Sequence, residues 1–182
     1  MKRAALFASI LAVTLMGCYA SKPSNNVGFV TTHALQELAG TYQNLGESKE
    51  RGHYLSQTIW PKEKALRHDS ISAISVRVIG DTALAVQALQ GSDVVKEGLF
   101  VSGKDFQFTR GRLRLNATSD DTFRNPEAGG LFFSRVTQEL GVDTKGQGKL
   151  KKRETVVGLA YLVAPIAVTG TTEVRFPRIG EP

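Results

Sequence analysis

Cysteine is nearly missing from this chain. Cys18 is the one cysteine in 182 residues, which excludes an internal disulfide framework and any cysteine-cluster zinc or iron–sulfur site. Histidine is scarce as well. His33, His53 and His68 stand 20 and 15 residues apart, so no His-x-x-x-His pair puts two imidazoles on one helical turn, and a metal site would have to be assembled from distant elements. The sequence has no Gly-x-Ser-x-Gly elbow, no matched Ser-x-x-Lys set and no glycine-rich phosphate loop. Internal repeats, heptads and low-complexity tracts are missing too. Nothing gathers a nucleophile, a base and an orienting group, so the chain reads as non-catalytic, with no cofactor and no metal. Charge of one sign is only mildly in excess, with 23 Lys and Arg against 17 Asp and Glu. A hydrophobic content of 41% with 22% charged residues is that of a globular protein, and the length suits one domain with a short appendage.

What is present is concentrated at the start. Residues 1–20 read MKRAALFASILAVTLMGCYA. Lys2 and Arg3 form a positive flank, and Ala4 to Met16 form an apolar stretch of 13 residues. A spanning helix needs roughly 20 apolar residues, so this stretch has the length of a signal-peptide core and falls short of an anchor. It closes on Leu15-Met16-Gly17-Cys18, which resembles the lipobox of bacterial lipoproteins. That resemblance implies cleavage between Gly17 and Cys18, a diacylglycerol thioether on the Cys18 sulfur, and a further acyl chain such as palmitate on the new amino group. Two or more chains, each buried CH₂ contributing about 0.8 kcal/mol, would hold the protein on a membrane. Tyr19 stands where an Asp would resemble an inner-membrane retention signal, so the implied address is the outer membrane, on its periplasmic side. The chain then divides into a signal peptide over 1–17, a lipidated flexible tether over 18–26, and a single β-rich domain over 27–182 whose first structured residue is expected near Val27. Without Lys2 and Arg3 the charge balance becomes 21 against 17, or +4.

From Ile71 onward turn signals recur every 8 to 12 residues, the spacing of antiparallel all-β structure. Ile71–Ile79, Thr82–Leu89, Val94–Val101 and Phe106–Thr109 read as strands separated by Gly80-Asp81, Gly91-Ser92 and Ser102–Asp105. Connections this short hold no crossover helix, so neighbouring strands must be antiparallel. In DFQFTRGRLRLN the apolar residues switch parity between Phe106, Phe108 and Leu113, Leu115. A tight turn at Arg110-Gly111 returns them to one face and leaves Arg112 and Arg114 as solvent-facing charges. Asn116 to Gly130 reads as the longest loop, Leu131–Leu140 as a strand or a short helix, and Gly141 to Lys149 as a hairpin loop. Thr155–Val163 is apolar on both parities, the pattern of a strand buried on both faces, with Gly158 and Ala160 marking a close approach. Pro165 is expected to end it, and Thr172–Phe176 to form the last strand. Near the N-terminus, Thr31 to Leu38 suggests a short helix stopped by Gly40, Thr41–Asn44 a first strand, and Tyr54–Trp60 an element terminated by Pro61. The expected fold is therefore mainly β, a single antiparallel β-sandwich or barrel-like meander with one short N-terminal helix.

Candidate binding residues are few. Lys149, Lys151, Lys152 and Arg153 form a basic cluster suited to an anionic surface, with lipid, lipopolysaccharide, peptidoglycan or an envelope protein as the partner. Nucleic acid is not expected, because aromatic interleaving is missing. Asn116, Asp120, Asp121, Asn125 and Glu127 crowd oxygen ligands without EF-hand spacing, as a solvated loop would. Leu38-Ala39-Gly40-Thr41-Tyr42 resembles the Gly-x-aromatic start of lipocalin-like barrels, which implies as an alternative a β-barrel around a small lipophilic ligand. The leading expectation is an outer-membrane-anchored lipoprotein with a structural or binding role in the cell envelope.

Overall fold

A computed structural model describes residues 15–49, 52–115, 120–125, 130–161 and 164–181. Lys2, Arg3 and the start of the apolar stretch, with Asn116 and Glu127, lie outside these residues. Among the described residues twelve strands follow one another: β1 (Leu15–Ser21), β2 (Gly40–Gln43), β3 (Ala73–Ile79), β4 (Ala83–Gln90), β5 (Asp93–Val101), β6 (Phe106–Thr109), β7 (Arg112–Leu115), β8 (Asp120–Asn125), β9 (Gly130–Val142), β10 (Gly148–Ala160), β11 (Ala164–Phe176) and β12 (Arg178–Gly180). A seven-stranded sheet runs β1-β11-β10-β9-β7-β6, with β8 also on β9, and a five-stranded sheet runs β12-β2-β3-β4-β5. The sheets do not close into a barrel; they form a sandwich-like meander.

Local turn chemistry explains most of the pairing. Arg110 (φ 54°) and Gly111 (φ 75°) both take left-handed backbone between β6 and β7, the signature of a two-residue hairpin turn whose twist matches the strands. Phe106 and Leu113 consequently face the core together, while Arg112 and Arg114 face the other way. A Cβ on Gly111 would also press on the backbone of Thr32 and Val30. Gly111→Ala should therefore cost about 2 kcal/mol from strain and clash, measured by urea unfolding. Gly91→Ala, at a similar φ of 65° with open space around it, should cost clearly less. Equal losses would show that backbone strain alone, without the packing on Thr32, sets the effect.

Side chains from both sheets meet in one core, in which Ile74 and Val86 of the small sheet pack with Phe106, Leu150, Val174 and Phe176 of the large one. The predicted short helix over 31–38 is a single 3-10 turn, Leu35–Leu38, with no side-chain cap at Ala34. The α-helix is α1 (Leu55–Ile59), just before Trp60, whose ring lies 6.2 Å from that of Phe100.

Four expectations are revised. Residues 15–21, which span the lipobox and the start of the expected tether, form β1, paired in parallel with β11 so that the outer edge of β11 has a hydrogen-bonding partner. The segment 120–125, expected within a loop, is β8 on β9, because backbone ladder bonds do not require apolar alternation. Pro165 lies inside β11, at its second position, where a missing N–H interrupts little of the ladder. The far half of β10 is not buried on both faces. Val157 and Leu159 have the parity of Lys151 and Arg153, on the face turned away from the small sheet, and each is 43% exposed. Gly158 does mark a close approach, for Phe132 lies directly against it.

Candidate functional site

The outer face of the large sheet, turned away from the small sheet, carries the densest charge. Alternation along each strand fixes which residues share it, and the pairing register sets them in rows. Arg114 of β7 stands beside Glu139 of β9, then Lys151 of β10 and Glu173 of β11. In the next row Thr137 neighbours Arg153 and Thr171, and in the following one Arg135 neighbours Thr155, Thr169 and Cys18. The hydroxyls of Thr155 and Thr169 hydrogen-bond to one another at 3.4 Å. A cleft of about 410 Å³ opens here, walled by Arg112, Arg114, Arg135, Lys151 and Arg153 with Glu139 as its one carboxylate. A second hollow beside it extends the cationic surface to Arg110.

Not all of these charges are uncommitted. Arg112 Nη1 lies 3.2 Å from Glu139 Oε2, and its guanidinium sits 4.8 Å over the Phe29 ring. Arg114, Lys151 and Arg153 make no salt bridge among the described residues. The cleft is thus lined by five cations and Glu139, with Glu173 in register beyond Lys151 and Asp120 in register with Arg135.

The basic cluster expected at 149–153 is divided by the strand itself. Lys151 and Arg153 reach the cleft. Lys152 points to the opposite face, 3.7 Å from Glu154, since successive residues of a strand alternate. Lys149 is on the cleft side but buried, its Nζ 2.7 Å from Glu173 Oε2 and bonded to Asn26 Oδ1 and the Val27 carbonyl. Burial pushes the Glu173 carboxyl up, yet the hydrogen bond and charge of Lys149, with Asn26 and Lys22, outweigh it and hold the group below its usual range. Residues 26–29 cover this end of the face, with Phe29 bridged to Asp143. Arg112, Arg114 and Arg135 are the site residues that sequence reading did not gather into the cluster. Parity had already turned the first two outward; their nearness to β10 depends on long-range register.

Two other places bear on function. Ser56 Oγ lies 2.9 Å from His68 Nδ1, but Ser56 is completely buried and Asn44 ties both segments together through Ser56 N, the His68 carbonyl and the Ile71 carbonyl. This is a structural tie beneath α1, with no solvent path to the hydroxyl. Between the sheets lies an apolar cavity of about 80 Å³ lined by residues such as Tyr42, Leu84, Phe100 and Phe106. Lipophilic ligands of ordinary size fill roughly 300 Å³ or more, and the open-edged sheets form no barrel to enclose one. Tyr42 is a core aromatic here. Its hydroxyl donates to the Leu38 carbonyl at 2.9 Å, and burial raises its pKa, partly opposed by Arg178 and reinforced by Glu181.

No family model matches the chain, and no curated protein or solved structure matches it either. Function must be argued from the face itself and from the export motif. Among the described residues no His, Cys, Asp and Glu cluster is arranged to hold a metal ion, and no helix is long and apolar enough to cross a membrane.

Proposed function

We propose that this protein is a lipoprotein anchored on the periplasmic side of the outer membrane, with a binding or structural role in the cell envelope and no catalytic activity. The observation that carries this reading is the Leu15-Met16-Gly17-Cys18 motif closing a short, positively flanked apolar segment, with its sulfur on the chain's one cysteine. The exposure of Cys18 supports it, because a lipid-transfer step needs an accessible thiol. The cationic cleft supports a binding role, since five basic side chains around one carboxylate favour an anionic partner.

Labelling cells with a palmitate analogue tests the anchor. The wild-type chain should take up label and Cys18→Ser should not. Label retained by Cys18→Ser, or absent from the wild type, would refute the assignment.

A further inference from the structure

We propose that the outer face of the large sheet is a membrane-docking surface, laid against an anionic lipid bilayer with lipid phosphates in the cationic cleft and the apolar strand tip at the headgroup–acyl boundary. The proposal deepens the lipoprotein reading and rests on it for which membrane is met.

Three features of the same face point this way. First, Arg114 of β7 and Lys151 and Arg153 of β10 flank β9, about 10 Å apart across it, with Glu139 between Arg114 and Lys151. They form a broad cationic band, a layout that matches phosphates spread over a surface. Second, in the rows beyond the band the residues of β9, β10 and β11 are apolar, while the register of β8 places Thr122 and Arg124 at the end of those rows. Phe133 neighbours Val157 and Ala167, and Leu131 neighbours Leu159 and Pro165. Phe133 is 51% exposed, and Tyr161 at the tip of the β10–β11 hairpin is 69% exposed. Cations beside exposed aromatic and aliphatic side chains make an interfacial pattern, in which each part meets a different depth of the bilayer. A small soluble anion would use the band and leave the apolar rows unexplained. Third, Cys18 shares the row of Arg135, Thr155 and Thr169 on this face. Acyl chains on its sulfur would leave the domain between the cationic band and the apolar tip, on the side that docks.

Vesicle flotation of the full chain carrying Cys18→Ser tests the surface without any acyl chain. The apolar export segment is common to every variant, so comparison between variants and between vesicles isolates the face. Binding to vesicles with about a third phosphatidylglycerol should exceed binding to pure phosphatidylcholine, and should weaken steeply as salt rises. Replacing Arg114, Lys151 and Arg153 together by glutamine should weaken binding to anionic vesicles roughly 100-fold, with circular dichroism unchanged. Arg114→Lys with Arg153→Lys should keep most of it, since charge is retained. Phe133→Ser with Val157→Thr should lower binding to both vesicle types.

Equal binding to neutral and anionic vesicles, or no loss on removing the three cations, would overturn the proposal. Were the triple variant to misfold, salt-insensitive binding of the parent chain would overturn it as well. So would retention of inorganic pyrophosphate or an acidic polypeptide without any vesicle binding, which would assign the cleft to a soluble partner. Loss of palmitate labelling with vesicle binding intact would sink the anchor and spare this surface; the reverse pattern would sink this surface alone.

Discussion

Glu173→Gln should destabilise the folded domain by about 3 kcal/mol at pH 7, because it strands a buried ammonium. Lys149 is 4% exposed and Glu173 10% at the side chain, so little solvent is available to take over the lost interaction. Asn26 Oδ1 and the Val27 carbonyl still accept from Lys149 Nζ, which keeps the expected loss at the low end for a broken buried pair. The pH dependence is the sharper check. Glu173 is held below its ordinary value in the fold, so its contribution is complete above the unfolded-state pKa, near 4.3, and fades as pH falls through the lower folded value. The gap between wild type and Glu173→Gln, measured as the urea midpoint, should therefore narrow on acidification. A gap that stays constant to the lowest accessible pH would mean that the carboxylate charge contributes nothing. Pairing the change with Lys149→Met should recover part of the loss, as no unpaired ammonium is then left buried.

Phe106→Ala should cost about 4 kcal/mol, comparable with the largest losses for truncating a buried aromatic. Phe106 is 1% exposed, comes from the large sheet and lines the apolar cavity of about 80 Å³ between the sheets. Truncation would merge the vacated ring volume with that cavity, and two sheets tied by hairpins cannot close the gap fully. An enlarged dry cavity of this kind accepts benzene or xenon. The variant, unlike the wild type, should gain thermal stability on exposure to either. A loss below about 1 kcal/mol, with no response to benzene, would show that the sheets collapse onto the space. Phe133, at 51% exposed, serves as the contrast, and its replacement by alanine should leave the unfolding midpoint nearly unchanged.

Much of the fold was legible because its determinants are local. Gly80, Gly91, Gly103 and Gly146 each take positive φ at a strand connection, and turn chemistry of that kind is written in two or three residues. The parity switch across Arg110-Gly111 fixed both the hairpin and the outward direction of Arg112 and Arg114. The mainly β class followed from the same spacing, which left sandwich and barrel both open. The cationic cleft was only half legible. Lys151 and Arg153 are neighbours of Arg114 and Arg135 through register alone, and register between residues 114, 139 and 151 depends on a sheet that local sequence does not describe. Contiguity in sequence misled at Lys152, which a strand turns to the other side. The role of Asp143 was equally hidden. Its carboxylate accepts from the Lys145 and Gln147 backbone at 2.8 and 3.0 Å and meets Arg175 Nε at 3.2 Å. In the sequence it is one more polar residue of a loop. The apolar run at 155–163 signalled burial because period alone cannot separate a strand covered on both sides from one whose outer face is open.

The chain leaves the large sheet at Pro177, and β12 comes to lie beside the strand that opened the small one. Thr41 Oγ1 donates to the Glu181 carbonyl across 140 positions, and β12 completes the outer side of β2. A chain delivered amino end first, from a ribosome or through a translocation channel, can zip β3, β4 and β5 together while β2 still waits for its second neighbour. The closing loop then spans most of the molecule, which slows folding far more than it weakens the folded state. Completion of the small sheet thus waits for β12, and until it arrives one side of β2 keeps its backbone groups unpaired.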